Sequence, residues 1–185
     1  MNCCIITAKG DDNVIERKEY LENLISFKDK QLIKVVTGIR RCGKSTLFEL
    51  YQDHLLKNGV SAEQIIAYNL EDGDYMDVKD SNDLFNMIKE RLLPDKMNYI
   101  FLDEVQRVHD FQKAVDSLFI KKNCDVYITG SNAYLLSGEL ATLLSGRYVE
   151  IKMLPLSFKE YVSARSDSGN IDRLYQDYIH NSSFP

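Results

Sequence analysis

Residues 38–45 read G-I-R-R-C-G-K-S, between an apolar run, "LIKVV" (32–36), and a helical pattern, "STLFELYQDHLLKNG". Gly38 and Gly43 permit backbone conformations and close approaches that a Cβ would block. Successive N–H groups of such a turn point inward as an anion-binding nest, at the positive end of the helix that follows. Lys44 adds a mobile charge for β- and γ-phosphates, the Ser45 hydroxyl is placed to coordinate Mg²⁺, and Thr46 adds a backbone donor near an α-phosphate. The spacing therefore predicts a nucleotide triphosphate site. Within the loop, Arg40 and Arg41 either neutralise phosphate charge or sit solvated, and Cys42 is small enough for a crowded turn.

Two more polar clusters end apolar runs. "YIFLDEV" finishes with adjacent carboxylates, Asp103 and Glu104. Mg²⁺ takes hard oxygen ligands and keeps several waters, so Asp103 is expected to hold the ion mainly through one. Glu104, one residue on, can polarise an attacking water beside the γ-phosphate. "YITGSNA" ends with Thr129, Ser131 and Asn132. A polar side chain there can position the attacking water or sense the γ-phosphate, and Ser131 or Asn132 can also cap the next helical piece, roles that are compatible. Arg147, in "LLSGRYVEI", is either a charge-stabilising arginine for hydrolysis, in its own or a neighbouring subunit, or an ordinary strand-edge ion-pair partner.

Elements must hold these clusters in place. "RKEYLENLISF" carries Leu21, Leu24 and Ile25 at helical spacing, and the helix after the loop turns Leu47, Leu50, Tyr51 and Leu55 inward and ends at Gly59. "QIIAYNL" (64–70), "NYIFLDE" (98–104), "DVYITGS" (125–131) and "RYVEIKML" read as further strands. "SNDLFNMIKERLLP" reads as a helix capped by Ser81 or Asn82, with Leu84, Phe85, Ile88 and Leu92 inward and a stop at Pro94. "DFQKAVDSLFIKK" is another helix, "AYLLSG" and "ELATLLSG" are short helical pieces, and "SFKE" is a capping box. Strands alternating with helices predict an α/β fold, a mostly parallel sheet covered on both faces. Ligands bind beyond the carboxyl ends of such strands, where the three clusters fall.

Composition narrows the function. The 185 residues fit one domain, with 44% hydrophobic and 28% charged residues. A net charge of −5 does not support a generic nucleic-acid binder. No run approaches the ~20 apolar residues that span a bilayer, and "MNCCIITAKGDD" lacks the pattern of a secretory signal. Cys3, Cys4, Cys42 and Cys124, with His54, His109 and His180, show no zinc-site spacing, and the expected compartment is a reducing cytoplasm.

Together these motifs resemble an AAA-type P-loop ATPase family common in bacteria and archaea. The residues that carry the resemblance are "IERKEYLENL", "TGIRRCGKSTLF", "IFLDEVQRV", "ITGSNAYLLS" and "LSGRYVEIKMLPLSFKEYV", from about Val14 to Val162. The resemblance implies a P-loop NTPase three-layer sandwich with a five-stranded parallel core in the order 5-1-4-3-2, and ATP at the ends of strands 1 and 3. "VIERKE" also resembles an adenine-contacting motif of related signalling ATPases, through Val14, Ile15 and Arg17, with Glu16 where that motif has glycine. The expected organisation is a flexible arm (1–13), an ATPase domain (14–165) and a helix (166–185) leading to a further C-terminal domain. The leading function is Mg²⁺-dependent ATP hydrolysis that drives a conformational switch or remodels an unidentified macromolecular partner. The alternative is a nucleotide-gated interaction module without hydrolysis. A phosphotransferase is disfavoured, because no lid-like basic insertion offers a second substrate site.

Overall fold

The computed structural model describes residues 15, 17–131, 144, 146–163 and 170–180. Five strands, β1 (Ile33–Gly38), β2 (Ile65–Asn69), β3 (Asn98–Asp103), β4 (Cys124–Ser131) and β5 (Tyr148–Met153), form one sheet. Its order is β2-β3-β4-β1-β5 and every pairing is parallel, the arrangement implied by the resemblance. Around it lie α1 (Lys18–Ser26), α2 (Lys44–Lys57), α3 (Ser81–Lys89), α4 (Phe111–Phe119), α5 (Phe158–Ser163) and α6 (Ile171–His180).

A parallel sheet covered on both faces needs apolar side chains on both sides of its inner strands. β1 and β3 meet that demand, being buried along their whole length. Successive strand residues point to opposite faces. Val36, Tyr99, Phe101 and Tyr127 accordingly pack with Leu24 of α1 and with Leu47, Phe48, Tyr51 and Leu55 of α2. Val35, Ile100, Leu102 and Ile128 face the other way, onto Leu84 and Ile88 of α3 and Ala114, Val115 and Leu118 of α4. The two layers hold the strand ends as a fixed platform for the loops.

Near the amino end of the sheet a polar network is buried in the α1–α2 layer. Lys34 pairs with Asp125, and its Nζ also donates to Lys30 O at 2.7 Å. Asp125 Oδ2 accepts from Asp29 N–H at 2.9 Å and from the Tyr127 hydroxyl at 2.8 Å. These bonds tie the α1–β1 turn to the middle of the sheet.

Several local expectations are corrected. Phe48 takes the buried place expected of Leu50, which is half-buried. The cap of α3 is Asp80 rather than Ser81 or Asn82. Its carboxylate accepts from Asn82 N–H at 2.8 Å and Asp83 N–H at 3.1 Å, and Asp83 completes the reciprocal box. Leu92 packs from the turn beyond α3. In "SFKE" the box forms as expected, with Ser157 N–H donating to Glu160 Oε2 at 2.7 Å and Glu160 N–H to Ser157 Oγ at 3.3 Å. The arm 1–13 and most of the helical pieces at 133–146 lie outside the described residues. No helix of the described residues is long and apolar enough to cross a membrane.

Candidate functional site

β1 ends at Gly38, α2 begins at Lys44, and the loop between them carries the site. A Cβ on Gly38 would meet Met153 O and Cys42 Sγ, each at 2.6 Å, so only glycine lets the chain leave β1 here. The loop then turns through left-handed conformations at Arg41 (φ 66°) and Gly43 (φ 94°). The start of α2 runs against the usual preferences for a helix N-terminus. It has no side-chain cap, no acid in its first turn and a lysine at its first position. That donor set suits an anion supplied from outside the chain.

Lys44 is 4% exposed, and its Nζ lies 3.4 Å from Gly38 O, 3.3 Å from Ile39 O and 3.6 Å from Glu104 Oε1. Asp103, 7% exposed, ends β3 beside α2, where the Thr129 hydroxyl donates to its carboxylate and the Ser45 hydroxyl lies near it. Burial pushes its carboxyl above the usual carboxylate range, against the lowering effect of those two hydroxyls. Glu104 follows in a left-handed conformation (φ 53°), and its N–H donates to Thr129 Oγ1 at 3.0 Å. Thr129 therefore bridges both acids from the neighbouring strand. The loop, Lys44, Ser45, Asp103 and Glu104 come together as the sequence predicts, and Thr46 lies in the same first turn of α2.

Other residues are placed differently. Ser131 pairs in register with Gly38, which sets the end of β4 beside the loop, and Asn132 lies outside the described residues. Arg40 is exposed and pairs with Glu71, which also takes Arg107 at 2.9 Å, and Arg41 is exposed. Cys42 is fully buried, and burial pushes its thiol up. Arg147 sits at the opposite end of the sheet from the loop. Its carbonyl accepts from Ile33 N–H at 2.8 Å, and the six residues of β5 lie beyond it. At ~3.3 Å per residue, its start is about 17–20 Å from the loop end of the strand. Its guanidinium pairs with Asp116 and lies over the Phe119 ring, 5.8 Å from the centroid. Of its two readings, the ion pair is the contact present within this chain.

Sequence reasoning missed the task of Arg17. Its side chain is buried against the phosphate loop, donating to Cys42 O at 3.3 Å and Leu154 O at 2.8 Å. Its Nε pairs with Glu160 at 2.6 Å, and its plane lies over Tyr20, 4.7 Å from the ring centroid. The guanidinium is committed to protein groups, so the contact present in this structure is with the loop. Thr129, named in the sequence only as one of the polar group ending β4, is the member of that group that meets both acids, and Gln106 was passed over. Gln106 Nε2 donates to Glu104 Oε2 at 2.5 Å.

Residues 30–162 match the AAA domain family. The chain belongs to that family. The match takes in all five strands and every loop and strand-end residue named above, while Arg17 lies before it. An uncharacterized protein of Haemophilus influenzae is 48% identical over 176 residues, a stretch that is 93% of this chain and 44% of that protein. An uncharacterized protein of Methanocaldococcus jannaschii is 33% identical over 135 residues, covering 72% of this chain and 29% of that one. The chain thus spans less than half the length of either relative.

Among solved structures, Cdc6p from Pyrobaculum aerophilum resembles the chain with a TM-score of 0.56 at 12% identity, over 85% of this chain and 50% of that one. Saccharomyces cerevisiae Hsp104, in its complex with casein, gives 0.54 at 14% identity, over 80% of this chain and 28% of that one. Both are likenesses of fold. The AAA membership and the fold make this a nucleotide-binding domain of the ATPase type, in a family that typically binds ATP with Mg²⁺.

Proposed function

We propose that the domain binds ATP with Mg²⁺ in the loop 38–46 and hydrolyses it, and that the cycle drives a conformational switch or remodels a partner macromolecule. Lys44 carries this reading. A buried ammonium whose contacts are two carbonyls and a carboxylate 3.6 Å away is poorly neutralised. Phosphate oxygens beside the loop N–H groups make stronger, charge-assisted partners.

In this account the loop N–H groups and Lys44 hold and orient the triphosphate, with Gly38, Gly43 and Thr46 shaping the cradle. Ser45 and Asp103 would hold Mg²⁺, which neutralises charge on the β- and γ-phosphates when bound. Their hydroxyl and carboxylate form the hard-oxygen donor set that such an ion takes. Glu104 acts as general base, accepting the proton of the attacking water, with its main chain fixed by the bond from its N–H to Thr129. Ser131, which ends β4, or Asn132, the next residue in the sequence, senses the γ-phosphate. Arg147, at the far end of the sheet, is assigned to the nucleotide of a neighbouring copy, so that self-association completes the site.

A titration of phosphate release against protein concentration, with and without Mg²⁺, tests the reading. Mg²⁺-dependent specific activity that rises with concentration is expected. Bound ATP with no phosphate release at any concentration would favour the nucleotide-gated module instead. That second reading draws on the remoteness of Arg147 and on the contact of Glu104 with Lys44.

A further inference from the structure

Gln106 belongs to the short 3₁₀ turn Val105–Arg107 that follows Glu104. The left-handed conformation of Glu104 (φ 53°) reverses the chain there and brings the side chain two residues on back to the Glu104 carboxylate. Gln106 spends its amide donor on Glu104 Oε2. Its amide oxygen is buried and, among the described residues, has no hydrogen-bond partner. A strained backbone and an unsatisfied buried acceptor both cost stability, and here they fall two residues apart at the same carboxylate. Sites that carry such costs are where chemistry is to be sought.

We propose that Gln106 is a water-positioning residue for hydrolysis, an inference that rests on the reading of Glu104 as the general base. Its Nε2 fixes the Glu104 carboxylate, and a turn of its side chain opens the buried Oε1 to accept one hydrogen of the attacking water while Glu104 accepts the other. With both hydrogens held, the water turns a lone pair toward the γ-phosphorus. The new bond forms between water oxygen and γ-phosphorus, and the bond to the β,γ-bridging oxygen breaks with its electron pair leaving on ADP. The released proton passes to Glu104, and inorganic phosphate is the second product. Gln106 exchanges no proton; it sets direction.

The test compares wild type, Gln106→Met and Gln106→Glu by fluorescent-ATP titration, single-turnover phosphate release and melting curves. Methionine keeps the length of the side chain without donor or acceptor, whereas glutamate keeps acceptors but sets a like charge beside Glu104. Both variants should bind ATP within about twofold of wild type. Single turnover should slow about 10–100-fold in Gln106→Met, the worth of one hydrogen bond to a charged group, and more in Gln106→Glu. Residues that act as a unit are not additive, so Gln106→Met added to Glu104→Gln should change the residual rate by less than about threefold. If Gln106→Met melts early, Gln106→Glu carries the same comparison. A folded variant with wild-type turnover overturns the inference, as does an equal loss of affinity and rate, or an undiminished effect in the Glu104→Gln background. In each of those cases active wild type leaves the hydrolysis reading standing. Wild type that binds ATP without releasing phosphate overturns both.

Discussion

Replacing Arg17 by alanine should loosen the phosphate loop from outside it. The substitution removes a 2.8 Å bond to Leu154 O, a longer 3.3 Å bond to Cys42 O and the pair with Glu160. A hydrogen bond to a charged group contributes about 1.5–3 kcal/mol, and the Cys42 bond belongs at the low end for its length. Glu160 is 25% exposed, so its pair adds at most about 1 kcal/mol. These contacts share one side chain and are not additive, which leaves a net loss of about 3 kcal/mol. For a domain of this size that lowers Tm by roughly 6–12 °C. Because Cys42 lies within the loop, affinities for ATP and for inorganic triphosphate should fall together. Arg17→Lys should recover only part of the loss, because an ammonium lacks the planar fork that reaches several acceptors. Calorimetric melting with parallel titrations of both ligands decides the matter. A Tm within about 2 °C of wild type, with weakened binding of ATP but not triphosphate, would refute the clamp and favour the adenine role.

Gly38→Ala should abolish ATP binding or destabilise the fold by several kcal/mol, since its Cβ would lie 2.6 Å from the Met153 carbonyl oxygen, a backbone atom that cannot step aside; a titration and a melting curve would show either. Cys42 should resist alkylation at neutral pH despite its place in the loop. Burial raises its thiol, so the thiolate fraction stays small until the pH exceeds the ordinary thiol range, and peptide mapping after iodoacetamide checks this. Arg147→Ala should cost less than about 1 kcal/mol, because both it and Asp116 are substantially exposed, and should leave ATP affinity intact. It should nevertheless abolish the rise of specific activity with concentration, and mixing it with Glu104→Gln should restore some turnover through one intact composite site.

The phosphate loop was legible because its constraints are local. Gly38 and Gly43 answer backbone demands within the loop itself, and Lys44 and Ser45 follow from the helix it starts. The parallel sheet was legible for a related reason, as β1 and β3 are buried on both faces and read as largely apolar runs, broken in β1 by Lys34. What sequence hid depends on long-range pairing. Thr129 reads as one of three polar residues ending a strand until the β3–β4 register sets it, rather than its neighbours, against Asp103 and Glu104. Arg17 and Leu154 are 137 residues apart, and no local pattern announces their bond. Asp116 is 31 residues from Arg147. The cap of α3 was ambiguous because "KDSND" offers four adjacent capping side chains, and only the observed bonds select Asp80.

In the proposed cycle one carboxylate, that of Glu104, separates holding ATP from cleaving it. Glu104→Gln keeps the shape of the side chain and can still hydrogen-bond, but it does not accept a proton from water. Fluorescent-MgATP titration and single-turnover phosphate release, measured on the same preparation, test it directly. Affinity close to wild type and a rate lower by about 10²–10⁴-fold are expected. Glu104→Gln that hydrolyses ATP at the wild-type rate would contradict it.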